Sequence, residues 1–298
     1  MKTKLIFLAA LVLLAASCSN ETEVVNPDEK VPVKVHVNEF SISMSGFDDF
    51  YRARTRGGQT PESYASVSAI QLAIYDANGT PVVDITRKRG DGSYTSFGDF
   101  SAELPVGNYT MVALGYAFYD GDAFTLTSPT EAAFTSERPR EMFTKVQDFR
   151  VSNAEEVSLD VTLDRISAKL EIISTDNRPV GIQKIRTTFA GGGKSFNPTT
   201  GLALTDTGFS QTNTPTAVVG TPIDIASMPL LYTDEETMDI TIEVLDPDEN
   251  VLFTKVVPNV PFKRNNVTTV SGPVFTTASS AFGITLNTSW GPGYSVTF

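Results

Sequence analysis

The sequence predicts an all-β protein built as two sandwiches in tandem. Three observations carry this. Apolar residues recur with a period of two in one segment after another, and helical periodicity is almost absent. Gly, Pro, Asn and Asp punctuate the chain at the short spacing of a strand-and-turn fold. About 270 residues follow the leader and its polar extension, so two sandwiches of ~130 residues each fit better than one. No short fixed period repeats, which argues against a solenoid or a propeller.

The leader occupies 1–17. Lys2 and Lys4 form a basic start, and Leu5 to Ala16 is an unbroken apolar run, too short to span a bilayer comfortably. Ala15, Ala16 and Ser17 then precede Cys18, the only cysteine in the chain. This resembles a bacterial lipobox, with the departure that Ala15 stands where Leu is common. The resemblance implies lipid attachment at Cys18 and an outer-membrane, surface-exposed location. The bland alternative, an ordinary leader followed by an idle thiol, sits poorly with the avoidance of free cysteines in exported proteins. One acyl chain holds a protein weakly, but two or three hold it firmly. Residues 18–30 are polar and acidic and read as an extended tether. Removing the leader moves the formal charge from −12 to −14. So acidic a chain is a poor candidate for nucleic acid or anionic lipid heads.

The strands follow in order. In VPVKVHVNEFSISMS, Val31, Val33, Val35 and Val37 alternate with polar residues, then Phe40, Ile42 and Met44 do so on shifted parity. One extra residue at Asn38–Glu39 predicts a β-bulge. A polar stretch with Arg52, Arg54 and Arg56 follows, where an exposed protease site and a plain solvated turn are equal readings. VSAIQLAIYDANGTPVVDI predicts a hairpin turning at Asn78–Gly79. FSAELPVGNYTMVALGYAF predicts another pair of strands, and FTKVQDFRVS and EEVSLDVTLDR two more. The first sandwich is expected over 31–164 and the second over 165–298. The second opens with ISAKLEIIST and continues through long polar loops about Gly191–Gly193 and Asn197–Pro198. MDITIEVLD and NVLFTKVVP predict a hairpin, and NVTTVSGPVF, FGITLNTSW and YSVTF are the closing strands.

Catalytic signals are thin. His36, the single histidine, lies on the polar parity of its strand and reads as solvent-facing. One His and one lipidated Cys leave no His/Cys metal cluster and no nucleophile–His pair. Paired carboxylates carry no specificity among 35 acidic residues. Asp246, Asp248 and Glu249 could ligate calcium, but a plain turn is the better reading because Pro247 interrupts the run. FNPTTG at Phe196–Gly201 faintly resembles a sortase site and reads as a loop. Trp290 reads as a corner residue. No enzyme activity, cofactor, metal or small-molecule substrate is expected.

Several stretches together resemble one family. The lipobox, the long first strand with its arginine-bearing successor, the YDANG turn, VTLDRISAKLEI and above all KRNNVTTVSG at Lys263–Gly272 resemble the fimbrillin-like proteins of the Bacteroidales. These are subunits and anchors of type V pili. The Pro105–Tyr109 corner is likewise similar to transthyretin-like sandwiches. The resemblance implies two transthyretin-like domains and assembly with other pilus subunits by strand exchange. The displaceable strand would carry Val31, Val33, Val35, Val37, Phe40, Ile42 and Met44. The donor strand would carry Phe282, Ile284, Leu286, Tyr294, Val296 and Phe298. It implies cleavage after Arg52, Arg54 or Arg56 in cut subunits, and an intact first strand in an anchor; an anchor-type or accessory subunit is the expectation. A surface glycan-binding lipoprotein is the alternative, and it requires exposed aromatic platforms.

Overall fold

The structure is a computed structural model, and it describes residues 29–42, 59–152, 155–276 and 282–287. Cys18, Met44, Arg52, Arg54, Arg56, Trp290, Tyr294, Val296 and Phe298 lie outside the described residues. All regular structure among the described residues is β.

The N-terminal half contributes nine strands: β1 (Lys30–Ser41), β2 (Ala69–Asp76), β3 (Pro81–Lys88), β4 (Asp99–Pro105), β5 (Gly107–Tyr116), β6 (Phe124–Ser128), β7 (Glu131–Phe134), β8 (Met142–Val151) and β9 (Val157–Arg165). Seven of them form one sheet in the order β3-β2-β5-β8-β9-β1-β4. Between β8 and β9 only Phe143–Arg165 and Thr144–Asp164 pair. The sheet folds over at this short seam, so β3-β2-β5-β8 faces β9-β1-β4 across a shared core of Val33, Val35, Ile70, Leu72, Met111 and Leu163.

The alternation in 31–40 produces β1 as anticipated, with its odd residues turned inward up to Val37. The register then slips between Val37 and Glu39, which is the anticipated bulge. It returns Phe40 to the core. The hairpin expected over 67–85 forms, with Gly79 at φ +79°. FSAELPVGNYTMVALGYAF yields β4 and β5, but they are not partners. β4 pairs with β1 and β5 with β2 and β8, because the Pro105–Gly107 turn carries the chain from one layer to the other. The Tyr109 hydroxyl donates to the Pro105 carbonyl at 2.8 Å and fixes that crossing.

The C-terminal half adds β10 (Lys169–Ser174), β11 (Lys184–Phe189), β12 (Ser195–Asn197), β13 (Leu202–Ala203), β14 (Phe209–Asn213), β15 (Asp224–Ser227), β16 (Glu235–Leu245), β17 (Val251–Lys263), β18 (Val267–Gly272) and β19 (Gly283–Asn287). Sheets β14-β11-β16-β17 and β15-β10-β18-β19 enclose a second core. The pairing plan repeats. β1 runs parallel to β9 and antiparallel to β4, and β10 runs parallel to β18 and antiparallel to β15. The layer β3-β2-β5-β8 matches β14-β11-β16-β17. Among the described residues β19 is the one addition, an eighth strand on the edge of β18.

The segment expected to be long polar loops holds β11 to β14. FNPTTG is not simply a loop either: Ser195–Asn197 is a strand and Phe196 is fully buried. β12 pairs with β7 of the N-terminal half, giving a joint sheet β13-β12-β7-β6. That sheet lies on the outer face of β2 and β5. Phe134, Phe196, Ala203 and Leu230 meet Ala73, Tyr75, Val112 and Leu114 there. Burial on both faces accounts for the nearly unbroken apolar runs in β2 and β5. The Asp246 carboxylate accepts the amides of Asp248 and Asn250 at 2.9 and 2.8 Å, which makes that stretch an ordinary hairpin turn.

Candidate functional site

The candidate site is the slot that β1 fills. β1 is a central strand whose two edges are paired over most of its length. Val31, Val33, Val35, Val37 and Phe40 are buried, and Ile42 packs partly against the same core. Five such side chains contribute on the order of 8–15 kcal/mol of gross burial, which ordering entropy opposes. On the outer face Lys34 pairs with Glu156 at 2.9 Å. His36 is exposed, as its parity predicts, and contacts Asp99 directly across the β1–β4 ladder. Burial pushes the Asp99 carboxyl up, but the bonds from His36 and Ser96 outweigh it and leave the group below its ordinary range.

The slot ends in an aromatic pocket. The Phe40 ring lies 5.0 Å from Phe143 and 5.9 Å from Tyr64, and Tyr64 meets Phe143 edge-on at 5.7 Å. Its floor is Gly115, where a Cβ would fall 2.7 Å from Phe40 Cε1. Main-chain bonds join Phe40 to Gln59 at 2.9 and 3.3 Å.

Behind the aromatics sits a buried polar network. Tyr64 donates to Glu141 Oε1 at 2.7 Å and accepts from Arg165 Nη2 at 2.9 Å. Arg165 Nε pairs with Glu141 at 2.6 Å, and Nη1 donates to Asn265 at 2.9 Å. The guanidinium lies 5.2 Å over the Phe143 ring. One network therefore joins the end of β1 to the C-terminal half. Sequence reasoning singled out Arg52, Arg54 and Arg56 and missed Arg165, whose position at the close of β9 carries no local signal.

Burial, and then the Glu141 charge, pushes the Tyr64 hydroxyl up to about 12. Such a group stabilises the fold fully below the unfolded tyrosine value of about 10 and loses that contribution as pH rises through the folded value. Tyr116, buried more deeply, behaves alike. Tyr64→Phe should therefore flatten part of the fall in melting temperature between pH 10 and 12, seen in a series of thermal melts.

A second buried arginine holds the arm that carries β6 and β7. Arg140 pairs with Asp122 at 2.5 Å and donates to the Ala117 carbonyl at 2.5 Å. The rings of Tyr116, Tyr119, Phe124 and Phe134 surround it at 5.2–5.9 Å. An open cleft of about 600 Å³ runs between the halves, with Ser41, Lys145, Asp164, Lys263 and Arg264 among its lining. Its charges are largely paired: Arg264 meets Asp234 at 2.9 Å, and Lys263 meets Glu235.

The described part of the expected donor strand is β19. Phe282 packs closely against Gly272, where a Cβ would approach its ring to 2.4 Å. Phe282 and Ile284 are half-buried against the second core. Gly272→Val should displace Phe282 and speed amide exchange across 283–287 by an order of magnitude or more, as read by hydrogen-exchange mass spectrometry.

No group of three His, Cys, Asp or Glu side chains among the described residues could hold a metal ion. Tyr232 is the one aromatic among the strongly exposed large apolar residues described.

A family model described as a family of unknown function, DUF6562, matches residues 32–294. The chain belongs to the DUF6562 family. That match takes in β1 from Pro32 onward, its slot and β19 together. No curated protein matches the sequence. Among solved structures, the fimbrial anchor protein Mfa2 from Porphyromonas gingivalis is 11% identical, with a TM-score of 0.50 over 89% of this chain and 99% of that one. A Bacteroides thetaiotaomicron structure of candidate polysaccharide binding proteins (DUF1812) is 12% identical, with a TM-score of 0.50 over 91% and 98%. At such identity the likeness is one of fold. This DUF6562 chain thus shares an all-β fold with the fimbrial anchor protein Mfa2.

Proposed function

We propose that this chain is a structural subunit of a cell-surface fimbrium, of the anchor or accessory kind, serving adhesion. The observation that carries the reading is β1. It is the first strand among the described residues, it fills the centre of a layer, and the arginine-bearing segment 43–58 separates it from the next described strand. A strand so placed closes its groove while it stays attached, as an anchor requires, and a cut within 43–58 would release it and open the groove, as a cut subunit requires. The fold shared with a fimbrial anchor protein supports the same reading. In it, Cys18 carries the lipid that fixes the chain to the outer membrane, and the C-terminal strand containing Phe282, Ile284 and Leu286 enters the neighbouring subunit. Tyr294, Val296 and Phe298 belong to the same donor. The division of the chain near 164–165 into two transthyretin-like domains is part of this proposal. The glycan-binding alternative lacks an aromatic platform among the described residues, where Tyr232 stands alone.

The test is mass spectrometry of the N-terminal peptide of the mature surface protein, with gels for heat-labile polymers. A lipidated Cys18 still joined to β1 in a chain that co-purifies with fimbriae supports an anchor. A new N-terminus after Arg52, Arg54 or Arg56 overturns the anchor reading and supports a cut subunit. Absence from any polymer overturns the fimbrial reading.

A further inference from the structure

We propose that the Phe40 pocket is the specificity-determining site of the β1 slot. It selects an aromatic side chain on whatever strand fills the slot, and its occupancy controls how firmly the two halves of the molecule are joined. The first part of this inference rests on the cut-subunit form of the fimbrial reading, in which β1 is removed and replaced; its second part holds for the intact chain.

The slot is not uniform along its length. Val31, Val33, Val35 and Val37 occupy four successive inward positions on regular alternation. The bulge then sets the last fully buried position three residues after Val37 rather than two. At that position the floor is cut away to a glycine, because any Cβ at 115 would collide with the ring. The walls are Val67, Tyr64 and Phe143. Small β-branched residues suit the first four positions. A large planar side chain after a one-residue bulge suits the last. A strand with smaller groups there leaves a cavity between two aromatic walls and Val67.

The same walls hold the network between the halves. Phe143 packs on one side against Phe40 and on the other against the Arg165 guanidinium. Tyr64 packs against Phe40 and carries the hydroxyl shared by Glu141 and Arg165. Arg165 reaches Asn265, whose amide donates to the Ser167 carbonyl at 3.1 Å. An empty pocket admits water to a buried ion pair whose strength depends on its low-dielectric surroundings. The contact at Asn265 then loosens first.

Two measurements on the full chain decide the matter. Hydrogen exchange at 165–168 and 264–267 is compared in Phe40→Ala, Phe40→Leu, Val33→Ala and wild type. The expected result is an increase of about tenfold or more in Phe40→Ala, little change in Val33→Ala, and an intermediate value in Phe40→Leu. Equal protection at the junction in Phe40→Ala and Val33→Ala overturns the coupling. Phe40→Leu keeps the test valid should the alanine variant fold poorly. In the second measurement, a protease site placed within 43–58 is cut, and labelled peptides of residues 30–42 compete for the slot. A peptide with Phe40→Ala is expected to bind at least a hundredfold more weakly than wild type, and one with Phe40→Tyr far less so. Equal binding of the alanine and wild-type peptides overturns the selectivity. If no peptide binds, wild type included, strand replacement and the selectivity resting on it both fail, and the exchange data alone decide the coupling.

Discussion

Replacing Arg140 with alanine is expected to lower stability by about 3–5 kcal/mol, a fall in melting temperature of roughly 10 °C for a chain of this size. The side chain is completely buried. Burial pushes its pKa down, and the Asp122 carboxylate opposes that shift. Alanine would strand Asp122 in a site only 14% exposed, free the Ala117 carbonyl and empty a cage of four rings. Each loss has its own cost, and none is relieved by solvent at that depth. Arg140→Lys should recover only part of the loss, because an ammonium cannot reach the Ala117 carbonyl and Asp122 with one planar fork. Circular-dichroism melts of the three proteins check this. An alanine variant within 1 kcal/mol of wild type would show that the arm is held by its strand pairing alone.

Phe196→Ala should have an effect of similar size, about 3–5 kcal/mol, but of a different kind. Phe196 stands in β12 and plugs the joint sheet against Phe124 at 6.5 Å. Thr144 Oγ1 donates to the Pro198 carbonyl at 3.0 Å and Thr199 Oγ1 to the Pro129 carbonyl at 2.9 Å, tying the same stretch to the N-terminal half. Wild type is expected to melt in one transition because the interface is a core in its own right. The variant should melt in two, resolved by scanning calorimetry, as each half retains its own core. A single shifted transition in the variant would mean that the joint is carried by the hydrogen bonds and not by the ring.

These two residues mark where the sequence was legible and where it was not. The alternation from Val31 to Phe40, its slip at Asn38–Glu39 and the hairpins at Asn78–Gly79 and Asp246–Asn250 are local signals, and the fold keeps each. The apolar runs of β2 and β5 are buried on both faces, yet nothing nearby in the sequence names the covering layer. That layer pairs Ala132–Ala133 with Ser195–Phe196, about sixty residues apart, through strands of only three and four residues. Short strands of small and polar residues leave almost no period to detect. Arg140 and Arg165 look like any surface cation in sequence. Only the fold reveals that aromatic rings from distant strands enclose them.

The placement of β1 also sets how the molecule would bear load. The chain enters β1 at Lys30, beside Pro105 at the far end of the first core, and leaves it at Ser41 in the cleft between the halves. A pull between Lys30 and the C-terminal half runs along the strand axis. The ladders to β4 and β9 lie across that axis, so they resist in shear, all together, and cannot open one rung at a time. The bulge and the Phe40 ring, seated under the last rungs, act as a barb against sliding in that direction.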